Sequence, residues 1–136
     1  TNGFEQAELE VPRDRLKQAG ATVDVISLAA GQIKGWDQKD WGRPVKVDKT
    51  LDQASASDYD AIVLPGGQIN PDKLRLEPKA LEVIRRFLTD GKVVAARTSG
   101  LAGEALLAAI GRAGEVNVLQ AGELGSQKGA GSGLEE

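Results

Sequence analysis

Tyr59-Asp60-Ala61-Ile62-Val63-Leu64-Pro65-Gly66-Gly67 is the stretch that decides the fold. Four consecutive apolar residues stopped by Pro-Gly-Gly fit a short strand buried on both faces, as a helix-covered parallel sheet requires. Downstream, Glu77 to Asp90 carries Leu81, Ile84, Phe87 and Leu88 at helical spacing, with Gly91 as its stop. Val93-Val94-Ala95-Ala96 then predicts a second buried strand, and Leu101 to Ile110 an apolar helix. Upstream, Glu5 to Ala19 predicts a helix with Leu9, Val11 and Leu16 inward, started or kinked by Pro12 and closed by Gly20. The β-branched run Thr22 to Leu28 predicts a strand. Gln32 to Trp36 and Val45 to Asp48 predict a small hairpin, and Thr50 to Ala56 one helical turn. Strand–helix alternation of this kind predicts a doubly wound α/β sandwich.

Composition narrows the function. The 136 residues suit a single domain with a real core. Seventeen Lys and Arg against twenty Asp and Glu give a net charge of −3, so no basic footprint for nucleic acid exists. No apolar run approaches the ~20 residues of a membrane span. No basic segment followed by an apolar one opens the chain, so the expected location is cytoplasmic. Cysteine, histidine and methionine all count zero. This excludes disulfides, a thiol nucleophile, an imidazole base and structural zinc, and predicts no metal site. No Gly-x-Gly-x-x-Gly follows a strand and no Walker loop is present, so no cofactor is expected. The missing initiator Met predicts a processed or incomplete chain.

Several segments, taken in order, resemble the ThiJ/PfpI family of flavodoxin-like proteins. They are Asn2-Gly3-Phe4-Glu5-Gln6-Ala7-Glu8, Lys46-Val47-Asp48-Lys49-Thr50-Leu51-Asp52, the Tyr59 to Gly67 stretch, Asn70-Pro71-Asp72-Lys73-Leu74-Arg75 and Asp90 to Ala96. The resemblance covers residues 1–96. It implies a flavodoxin-like three-layer α/β sandwich with a mostly parallel sheet, here lacking its usual first strand. It also implies a stress-associated homo-oligomer whose chemistry is cysteine-dependent peptide hydrolysis or glyoxalase/deglycase action on small carbonyl compounds. Carried over residue by residue, the family's carboxylate falls on Glu8 and its amide turn on Gly66-Gly67. The acidic residue that reaches the histidine of a neighbouring subunit in the peptidase branch falls on Asp72, which otherwise reads as a surface helix cap. The nucleophile elbow, x-Cys-His-Gly-Pro in the family, falls on Arg97-Thr98-Ser99-Gly100-Leu101. Thr98 stands at the nucleophile position and Ser99 at the histidine position, with Gly100 on the elbow's glycine. An unactivated hydroxyl without a base is not a nucleophile at neutral pH, so the family's chemistry is expected to be dead in this chain. As plain residues, Thr98 or Ser99 reads as a helix N-cap.

Composition shifts at residue 97. Residues 97–136 hold nine of the seventeen glycines and no Asp, Pro or aromatic residue. The reading is an α/β domain over 1–112 and a Gly-rich tail over 113–136, either disordered or out of frame. A one-base shift with ordinary codons permits His over Thr98-Ser99 and Trp over Leu101-Ala102, at the family's spacing. Three functions stay open: a member of the family that has lost its chemistry, a non-catalytic binding or oligomerisation domain, or a truncated, frameshifted product. Trp36 and Trp41 read either as a subunit contact or as a cap on the hairpin.

Overall fold

The computed structural model describes residues 1–67 and 69–97, and the backbone of 118–120. Helix α1 (Gln6–Gln18) leads to β1 (Ile26–Ser27), the hairpin β2 (Gln32–Asp37) and β3 (Asp40–Lys46), and β4 (Lys49–Thr50). A 3₁₀ turn at Ala56–Asp58 precedes β5 (Ala61–Leu64). Helices α2 (Ile69–Leu74) and α3 (Pro78–Thr89) follow, then β6 (Val93–Ala96) and β7 (Val118–Gln120).

The strands form three small sheets rather than the single sheet expected. β5, β6 and β7 lie parallel in that order, with Ala61 opposite Val93 and Leu64 opposite Ala96. β1 and β4 form a separate parallel pair, and β2 and β3 an antiparallel one. Among the described residues no strand joins β1 to β5, so each keeps an edge without a ladder partner. The strand expected over Thr22 to Leu28 therefore shrinks to two residues.

The cores are divided in the same way. Leu64, Val94 and Ala96 face Ile84 and Phe87 of α3, with Ala56 beneath. Phe4, Ile33, Val45 and Val47 form a second cluster with Leu9 and Val25 against it. Among the described residues the β5–β6 sheet is covered on one face, and Val63 and Val93 are exposed on the other. Continuous apolar sequence implied two covered faces, but burial alternates along both strands.

α3 follows its sequence pattern. Pro78 fits the first turn, where its missing N–H costs nothing. Asp90 and Gly91 close it, their N–H groups donating to Arg86 O and Leu88 O. α1 departs from its pattern. Pro12 sits inside the helix and does not start it, and Val11 and Leu16 are exposed. Its buried residue is Gln6, whose Oε1 accepts from the Arg43 N–H at 2.7 Å. The helical turn expected over Thr50 to Ala56 forms in its first half, where Thr50 O accepts from the Gln53 and Ala54 N–H groups, and a 3₁₀ turn follows at Ala56–Asp58. α2 carries no periodic apolar signal, and Asp72, read from sequence as a helix cap, lies within its first turn.

Trp36 and Trp41 face each other across the hairpin, edge to face with centroids 5.6 Å apart. The pair caps the tip, where Gln38 takes a left-handed turn conformation. β7 falls inside the stretch that composition marks as a tail. The rest of that stretch and the helix expected over 101–110 lie outside the described residues.

Candidate functional site

The site is built around the chain's opening segment. Phe4 is 1% exposed and anchors it in the second core. On one side, the Gly3 N–H donates to Lys34 O (2.9 Å) and the Trp36 N–H to Phe4 O (2.6 Å). On the other, the Glu5 N–H donates to Gly66 O (3.2 Å). The segment thus bridges the hairpin and the turn after β5, and α1 starts directly from it. Glu8, in the first turn of α1, is carried to that turn by this seating.

Both oxygens of Glu8 are engaged. Oε2 accepts from the Gly66 N–H at 2.8 Å, and Oε1 lies 2.9 Å from Nε of Arg97. The Arg97 N–H donates to Leu64 O, which continues the β5–β6 ladder by one step and brings Arg97 beside the turn. Gly66 has to be glycine: a Cβ there would sit 2.4 Å from Glu8 Oε2 and 2.7 Å from Arg97 O. Asn70, 2% exposed, braces the turn by donating from Nδ2 to Pro65 O at 2.7 Å. Glu8 and Arg97 line a cleft of about 670 Å³ at this corner.

Burial pushes the Glu8 carboxyl above its ordinary value of 4.5, against the opposing pull of Arg97 and the Gly66 N–H. The folded state therefore holds this proton more tightly than the unfolded chain does. Its contribution to stability is fullest below the ordinary carboxylate range and declines as pH rises through the raised value. Glu8→Gln keeps an oxygen for the Gly66 N–H and has no charge to bury. Urea midpoints measured from pH 4.5 upward should fall less steeply with pH in this variant than in wild type. Parallel profiles would mean that Glu8 does not carry the titration.

The structure brings Glu8 and Gly66 together and places Gly67 in the same cleft. Asp72, which the resemblance assigns to a contact with a neighbouring subunit, stands apart from this cleft. Asp72 lies in the first turn of α2, half-exposed and paired with Arg75 Nε at 2.7 Å, and it is not part of the cleft lining. Thr98, Ser99 and Gly100 lie outside the described residues. Arg97 is the residue that sequence reasoning passed over. Its signal was a lone charge closing the apolar run Val93 to Ala96. Among the described residues no group of three or more acidic side chains is placed to hold a metal ion. No described helix is long and apolar enough to cross a membrane.

Comparison with known proteins gives a consistent picture. The sequence model of the DJ-1/PfpI family matches residues 1–117, carrying the likeness past Ala96. Deglycase PfpI of Pyrococcus furiosus is 44% identical over 94 residues, which are 69% of this chain and 54% of that protein. General stress protein 18 of Bacillus subtilis is 36% identical over 98 residues, 71% of this chain and 55% of that one. The chain spans about half the length of these curated relatives. The crystal structure of a ThiJ/PfpI domain protein from Brachyspira murdochii superposes with a TM-score of 0.70 at 24% identity. That superposition covers 94% of this chain and 70% of the other, and shows a shared mixed α/β fold.

Proposed function

The chain belongs to the DJ-1/PfpI family, and from that premise we propose that it is a binding domain for small carbonyl compounds that has lost the family's thiol chemistry. One observation carries the reading. Glu8, on which the resemblance puts the family's carboxylate, is seated against the Gly66 amide and faces Arg97, and the chain contains no cysteine. A carboxylate already neutralised by a guanidinium has no thiol to meet. No imidazole is available to accept a proton from a hydroxyl nucleophile. The hydrolase and deglycase activities therefore belong to relatives that carry the cysteine, and what remains here is the corner that would hold a carbonyl group. Homo-oligomerisation and a role in stress follow from the same kinship and stand as proposals with it.

The finer architecture belongs to this reading too. A flavodoxin-like sandwich in which no described strand joins β1 to β5 accounts for the two parallel pieces and the divided core.

The test is direct. The purified 136-residue chain should neither consume glyoxal nor hydrolyse peptide substrates above the buffer rate, while carbonyl ligands should perturb residues of the cleft. Turnover that co-purifies with the chain and disappears in Glu8→Ala would overturn the proposal. A carbonyl ligand that leaves the cleft unperturbed would overturn it as well.

A further inference from the structure

Resting on the reading of this cleft as a carbonyl site, we infer that it prefers small 2-oxo carboxylates over neutral carbonyl compounds, with Arg97 selecting the carboxylate. The argument begins with the charges. Glu8 is 11% exposed and its two oxygens are taken by Gly66 N–H and Arg97, so the pair is neutral as a unit. The Arg97 side chain is 57% exposed and lines the cleft. A guanidinium offers five N–H donors in a planar fork, more than one carboxylate oxygen can use. That fork matches a second carboxylate in two parallel hydrogen bonds. A ligand anion would complete a row of alternating charge from Glu8 through Arg97 to itself.

The other walls limit what accompanies the carboxylate. Trp36 and Ile69 supply exposed apolar surface, suited to a methyl or short alkyl group. Gly3, Ala7 and Gly67 contribute no long side chain, so a small ligand can lie close to the backbone. Among the described residues of the lining Glu5 is the other charge, and it stands at the start of α1, where the helix dipole offsets part of its field. The carbonyl preference comes from the family reading. The carboxylate preference comes from Arg97 alone.

The experiment uses pyruvate and its neutral isostere pyruvamide, titrated at constant ionic strength into ¹⁵N-labelled full chain. The two indole N–H resonances are the readout, since Trp36 lines the cleft. Pyruvate should shift the Trp36 signal saturably and bind about tenfold more tightly than pyruvamide, as a charge-assisted hydrogen-bonded contact implies. Arg97→Gln should remove the preference and leave pyruvamide binding in place. Arg97→Lys, which keeps the charge and loses the fork, should reduce the preference without abolishing it. If Arg97→Gln does not fold, an unchanged pyruvate affinity in Arg97→Lys overturns the inference. Equal affinity for both probes in wild type, or a preference that survives Arg97→Gln, overturns it and leaves the carbonyl reading standing. No saturable shift with either probe removes the carbonyl reading and the inference together.

Discussion

Phe87→Ala should cost about 3–5 kcal/mol of folding stability, the range for truncating a buried aromatic side chain. Phe87 is 2% exposed and fills the space between α3 and the covered face of β5 and β6. Leu64, Ile84 and Val94 surround it, and the Lys92 ammonium sits 5.5 Å from its ring centroid. Lys92 also donates to Ala56 O at 2.7 Å, so the aromatic ring, the cation and the 3₁₀ turn form one connected corner. Domains of this size hold only about 5–15 kcal/mol in total, so the loss removes a large share of it. Among the described residues the core is divided into two clusters, and Phe87 belongs to the one under α3. Urea denaturation followed by circular dichroism should show the midpoint falling steeply, down to a chain without a cooperative transition. Leu76→Ala is the control: Leu76 is 65% exposed, and its loss should stay within about 0.5 kcal/mol. A Phe87→Ala midpoint close to that of the control would mean that α3 does not pack on the sheet as described.

Much of the fold was legible because some segments state their environment locally. Ala61 to Leu64 and the helix over 78–89 combine apolar residues with a Pro-Gly or Gly stop, Val93 to Ala96 is a short apolar run soon after Gly91, and all three form where expected. The one-sided burial of β5 and β6 was not legible. A run of apolar residues says that a strand can be covered twice, and only its neighbours decide whether it is. The same holds for α1, where Val11 and Leu16 looked inward by spacing. The contact that fixes that helix is a polar one, Gln6 to the backbone of Arg43, thirty-seven residues away. α2 was hidden because Asn70 and Pro71 are poor helix signals; both are buried, Asn70 with its side chain bonded to the turn after β5. Of the site, Glu8 and Gly66-Gly67 came from family kinship. Arg97 stood in plain sight, but nothing local says that it reaches the first helix.

Gly67→Val should be about as damaging as Phe87→Ala, by a different route. Gly67 sits at φ +100°, where any Cβ is strained, and a β-branched residue most of all. Strain of that kind costs about 1–3 kcal/mol. The space is also taken. A Cβ would lie 2.7 Å from Gly3 O, 2.9 Å from Glu5 N and 3.1 Å from Phe4 C. All three are backbone atoms of the opening segment and cannot rotate aside. Overpacking adds about 1–3 kcal/mol, and relief requires the segment to lift. Lifting it breaks the Glu5 N–H bond to Gly66 O and draws Glu8 away from the Gly66 amide. Stability and the state of the carboxylate should therefore change together, with the Glu8 side-chain ¹³C signal titrating closer to an ordinary carboxylate as water reaches it. Gly91→Ala separates the two causes. Gly91 has φ +70° and nothing within 4 Å of its Cβ direction, so it carries backbone strain without the clash. Gly67→Val should exceed it clearly in a urea melt, and Gly91→Ala should leave the Glu8 titration untouched. If both variants lose the same stability and Glu8 titrates identically in each, the opening segment is not seated on the turn. The cleft would then lack the wall that positions its carboxylate.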